Sequence, residues 1–157
     1  MGDLVVGADD PRADDVRELL ETHLAFGQAH SPPEDMHALD VTGLLAESIS
    51  FFSIRENGTL LGVGALKHID ETHAELKSMH TAEKARGRGV GRAMLTHLLD
   101  TARARGYRRV SLETGAMDAF APARTLYQSV GFGVCDPFEG YLPSAYSVFM
   151  TLALDRG

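Results

Sequence analysis

The chain has 157 residues, 44% hydrophobic and 24% charged, which suits a single domain with a buried core. A formal net charge of −7 argues against a nucleic-acid binder, whose affinity would come from lysine and arginine on phosphates; positive charge is concentrated at 84–92 and 103–109. The lone cysteine, Cys135, excludes an intrachain disulfide, and the lack of any run of about 18 apolar residues argues against a membrane span, so the cytoplasm is the expected location.

In chain order, "DLVVGA" predicts a short strand. Asp9 or Asp10 then caps a helix carrying Pro11 in its first turn and Val16, Leu19, Leu20, His23 and Leu24 at helical spacing, ending near Gly27. "QAHSPPEDMHALD" predicts a loop followed by a second short helix from about Glu34. "ISFFSIRENGTLLGVGALKHI" predicts a hairpin, with Asn57 and Gly58 in the tight turn, and "HAELKSMHT" a further strand. A long helix follows over 90–105, burying Val90, Ala93, Met94, Leu98 and Ala102 and stopped by Gly106. "RVSLET" is the next strand, "AFAPARTLYQSV" a helix closed by Gly131, and "AYSVFMTLAL" the last strand.

Three glycines stand at the head of the long helix, in "KARGRGVGRAML". Glycine within a helix costs about 1 kcal/mol relative to alanine, so such a run marks a sharp turn or a close approach to the backbone. A strand, a glycine turn and a helix N-terminus together present free N–H groups and a positive dipole end, the usual seat of a phosphate. Neither the dinucleotide G-x-G-x-x-G pattern, which needs a glycine where Arg92 stands, nor the G-x-x-x-x-G-K-[ST] loop fits these letters.

Arg86-x-x-Gly89-x-Gly91, between a strand and a long helix, resembles the pyrophosphate loop of the GCN5-related N-acetyltransferase family, and "ARTLYQSVGF" downstream resembles that family's closing helix. The resemblance spans about residues 4 to 154. It is nearest to an uncharacterised bacterial acetyltransferase subgroup, through "SPPEDMHALD", "ELKSMHT", "LETG", "FAPARTLY" and "SVFM". It implies a mixed α/β (α+β) fold: a mostly antiparallel twisted sheet of six to seven strands flanked by about four helices, in one domain over 1–157. It also implies acetyl-CoA as co-substrate and a primary amine of a small molecule or peptide as acceptor.

The same resemblance assigns roles. Met79 and Thr81 would bond the pantetheine arm through their backbones, and Arg86, Gly87, Arg88, Gly89, Val90 and Gly91 would cradle the pyrophosphate, with Arg92 or Lys84 meeting outlying phosphate charge. Tyr127 matches the tyrosine that often protonates the departing thiolate, with side-chain packing as its alternative. Phe120 stands where an asparagine commonly contacts pantetheine. Attack by an amine also needs a base, for which Glu75 is the first choice, Glu113 the second and His80 the third; Glu75 could instead serve only to pair with Lys77.

The acceptor pocket is expected between "HSPPEDMH" and "PFEGYLPSAY". Glu34, Asp35 and Glu139 there would attract a cation, and Met36, Phe138, Tyr141 and Tyr146 would suit an apolar or aromatic group. Histidine spacing suggests no metal, and the apolar last strand permits a homodimer. The alternative function is a non-catalytic acyl-CoA-binding regulatory module.

Overall fold

The computed structural model describes residues 3–32 and 39–154. Seven strands form one sheet in the order β1-β2-β3-β4-β5-β7-β6. They are β1 (Leu4–Ala8), β2 (Ile49–Glu56), β3 (Thr59–Asp70), β4 (His73–Thr81), β5 (Arg109–Gly115), β6 (Gly133–Cys135) and β7 (Ser147–Ala153). The helices are α1 (Asp14–His30), α2 (Val41–Leu44), α3 (Val90–Ala104) and α4 (Ala121–Ser129). Every strand pair is antiparallel except β4 with β5, and the crossover between those two is α3. This is the mixed architecture expected, and among the described residues no helix is long and apolar enough to cross a membrane.

Strand alternation divides the core between the two faces of the sheet. In β2, Phe52 and Ile54 join Met94, Leu95 and Leu98 of α3 on one face, while Phe51 packs with Val16 and Leu20 of α1 and Leu44 of α2 on the other. The hairpin turns where expected, with φ of +50° at Asn57 and +81° at Gly58. The buried residues of α3 are Val90, Met94, Leu95, Leu98, Leu99 and Ala102, with Ala93 only half-buried.

The first helix departs from expectation at both ends. It begins at Asp14, and neither Asp9 nor Asp10 caps it. Asp9 instead accepts hydrogen bonds from Ser53 and Arg55 of β2, and Asp10 holds Arg12, so both carboxylates are committed to other partners. The helix then continues through Gly27 to His30, where the Phe26 and His30 rings meet at a tilt of 55° with centroids 4.6 Å apart. The expected second helix from Glu34 lies outside the described residues, as do Glu34, Asp35 and Met36. The helix seen is α2, whose Asp40 side chain accepts from the Gly43 N–H at 2.8 Å. A single 3-10 turn, Asp118–Phe120, precedes α4.

Candidate active-site cleft

β4 and β5 pair only at His73 with Arg109, Ala74 with Val110 and Glu75 with Ser111. Beyond Glu75 the two strands separate, leaving peptide groups along their facing edges without a strand partner. A bulge accompanies the split: the β3–β4 register shifts between Val63 and Ala65, and Ser78 adopts φ of +58°, a left-handed conformation that costs a non-glycine residue energy and gathers at functional sites. Gly64 sits opposite, where an added Cβ would lie 2.8 Å from Met94 Cγ and 3.0 Å from Met79 Sδ, so glycine there lets α3 lie close beneath the bulge.

The split opens a cleft of about 590 Å³ that brings together Glu75, Met79, His80, Thr81, Arg86, Gly87, Gly89, Val90, Gly91, Arg92, Glu113 and Tyr127. Arg88 is not among its walls, because its guanidinium is paired with Glu56 at 2.6 Å. Lys84 is exposed and also stands outside the cleft wall, whereas Arg92 donates to Ser129 Oγ at 2.9 Å.

Gly87 and Gly89 have φ of +79° and +80°, and an added Cβ at either meets nothing within 4 Å. Gly89 is the N-cap of α3 and no side chain caps the helix. The first-turn N–H groups therefore have no side-chain acceptor and face the cleft end, the arrangement that binds an anion. Gly91 lies inside the helix, where its reach to Leu126 of α4, 3.3 Å from an ideal Cβ, limits its size.

Tyr127 is 7% exposed, packs edge-on against Phe132, and has no hydrogen-bond partner for its hydroxyl among the described residues. Burial pushes its phenol up to about 12.

Glu75 is 1% exposed. Its Oε2 accepts from Lys77 Nζ at 3.1 Å and from the Tyr141 hydroxyl at 2.9 Å, and Lys77 also donates to Tyr141 at 2.8 Å. Oε1 is buried with no hydrogen-bond partner among the described residues, as is Ser78 Oγ. Burial and the Glu75 carboxylate hold the Tyr141 phenol well above its ordinary range, so it remains a donor. The C-terminal loop thus reaches Glu75 through Tyr141, which is not itself among the cleft walls, while Tyr146 lines the cleft and Glu139 stays exposed outside it. Phe138 instead packs between His73 and Phe149.

Sequence reasoning missed the wall supplied by α1. His23 Nδ1 lies 3.1 Å from His80 Nδ1, so one ring donates and the other accepts. Spacing held the available signal: His23, Phe26 and His30 continue a helical stripe beyond the core residues Val16 and Leu20. Burial and the neighbouring His80 drop His23 to about 4; burial and Arg86 lower His80 as well.

A histidine depressed in the folded state stabilises fully above its unfolded value, 6.5, and that contribution is lost as pH falls toward 4. Thermal melts are expected to show His23 removing about 2 kcal/mol between pH 7 and pH 5. His80 contributes in the same direction, so the diagnostic comparison is with His23→Gln, whose stability should fall less over that interval. Parallel curves for the two proteins would mean that His23 is solvated.

Residues 14–132 match the family model described as the acetyltransferase (GNAT) family. The uncharacterised N-acetyltransferase YsnE of Bacillus subtilis is 44% identical over 146 residues, covering 93% of this chain and 97% of that protein. The uncharacterised N-acetyltransferase YedL of Escherichia coli is 42% identical over 139 residues, covering 88% of this chain and 87% of its own. Among solved structures, a candidate acyl-CoA N-acyltransferase from Klebsiella pneumoniae superposes with a TM-score of 0.82 at 25% identity, covering 97% of this chain and 98% of that one.

Proposed function

The chain belongs to the acetyltransferase (GNAT) family and is an acetyltransferase, and on that premise we propose that it transfers acetyl from acetyl-CoA directly to a primary amine of a small molecule or peptide, both substrates bound together. One observation carries this reading: the cleft between the separated β4 and β5 runs to a glycine-rich, uncapped helix N-terminus.

The residues present fit acetyl-CoA. Gly87 and Gly89 leave the space beside their backbone open, so a pyrophosphate can approach the N–H groups of 87–91. Arg86 and Arg92 supply charge from their side chains, while Arg88, held by Glu56, contributes its backbone. The free edge of β4 at Met79 and Thr81 bonds the amide-bearing arm as an added strand would.

Glu75 takes the proton lost by the amine at Oε1, the oxygen left free by Lys77 and Tyr141, directly or through water. Tyr127 acts at the sulfur. With its phenol raised to about 12, it stays protonated throughout the neutral range. Complete proton transfer to a thiolate, whose acid titrates near ~8.5, is uphill, so Tyr127 stabilises the leaving thiolate chiefly by donating a hydrogen bond.

Calorimetric titration with acetyl-CoA, then thiol release with a panel of amines, tests the reading; absence of binding to folded protein would overturn it. In Tyr127→Phe, kcat is expected to drop about a hundredfold while acetyl-CoA affinity stays within about twofold. Unchanged turnover would remove Tyr127 from the mechanism.

A further inference from the structure

The C-terminal half of α1 builds a wall that the acetyl-transfer chemistry leaves unexplained. His23 and Phe26 follow one another at helical spacing, and the stripe that buries Val16 and Leu20 in the core ends with these two rings at the cleft, His30 lying one turn further on and outside its walls. Phe26 stands edge-on to Phe120 with centroids 5.2 Å apart, and His80 reaches the same group with its centroid 6.3 Å from Phe26.

Phe120 is seated deliberately. A Cβ on Gly115 would fall 2.0 Å from its ring, so β5 carries glycine at the point where this ring needs room. Burial favours the neutral form of both His23 and His80, so the wall presents ring edges and faces without a fixed charge in the neutral range. The same cleft holds Glu75 and Glu113. A ligand using both features carries a cation and a flat ring.

We propose that the acceptor is an arylalkylamine, its ring held by Phe26, Phe120 and His80 and its amine directed to the acids of the cleft. This rests on the acetyltransferase reading and names the substrate class for it. An aliphatic group of equal size gains the apolar contact but not the edge-to-face attraction that aromatic pairs add to area burial.

The test uses two amines of matched length, 2-phenylethylamine and 2-cyclohexylethylamine, with acetyl-CoA and the full chain. Wild-type kcat/KM is expected to favour the phenyl compound by about tenfold. Phe26→Leu and, separately, Phe120→Leu should bring that ratio to about threefold or less. Equal wild-type rates for the two amines, or an undiminished ratio in both variants, would overturn the proposal.

If neither amine is acetylated, saturation-transfer NMR on wild-type protein saturated with acetyl-CoA decides: selective binding of 2-phenylethylamine supports the aromatic site, and none refutes it. Calorimetry with acetyl-CoA on the same preparation separates this from failure of the acetyltransferase reading. A protein that binds acetyl-CoA and does not discriminate between the amines loses only the aromatic assignment.

Discussion

Gly89→Val is expected to weaken acetyl-CoA binding by about tenfold to a hundredfold in a calorimetric titration. Two separable effects act at this position. A β-branched residue at φ of +80° is strained wherever it sits, and that strain lowers stability without reference to any ligand. The side chain itself meets no protein atom within 4 Å of its Cβ, so its bulk falls in the space that the proposed pyrophosphate needs. Losing one or two charge-assisted contacts from N–H groups accounts for a factor of that size. Gly58→Val is the matched control: φ there is +81°, an added Cβ again meets nothing within 4 Å, and the position lies in the β2–β3 turn, not among the cleft walls. Both variants should melt earlier by similar amounts, and only Gly89→Val should lose affinity. Equal acetyl-CoA affinity in the two would show that the glycine loop does not approach the ligand.

What the sequence made legible was local. Asn57-Gly58, the alternation of β2 and the glycine run before α3 each carry their own conformational signal, and the structure places turn, strands and uncapped helix there. What it hid was tertiary. Asp9 reads as a cap because aspartate before a helical pattern usually is one; only the fold brings Ser53 and Arg55 to claim it. The bulge in β4 falls on Ser78, a residue with no local reason to take positive φ, and it changes which side chains of "HAELKSMHT" share a face. Arg88 and Arg92 are indistinguishable as letters, yet Glu56 draws the first away from the cleft while the second lines it. Glu75 showed that it was an acid, not that it was buried, since its cover includes Tyr141, 66 positions further on.

That burial sets the second large effect. Lys77→Met is expected to cost about 3–5 kcal/mol in denaturant unfolding, because it removes the cation from a carboxylate that is 1% exposed. Methionine fills much of the volume vacated by the lysine stem, so the loss reports charge rather than a cavity. For a chain of this size the melting temperature should fall by about 10 °C. Tyr141 cannot replace the lysine: its hydroxyl donates a single hydrogen bond to Oε2 and brings no charge. The double variant Glu75→Gln/Lys77→Met should regain most of the lost stability, since no isolated ion then remains, and the difference between the two variants measures what an unpaired Glu75 costs. A single variant that loses less than about 1 kcal/mol would mean that Glu75 is solvated or uncharged with its partner gone. The same number bears on catalysis, because the proposed proton acceptor is this carboxylate, paired with Lys77 through one oxygen and without a hydrogen-bond partner among the described residues at the other. With so small a loss, Glu113 and His80, which share the cleft, become the candidates for the base.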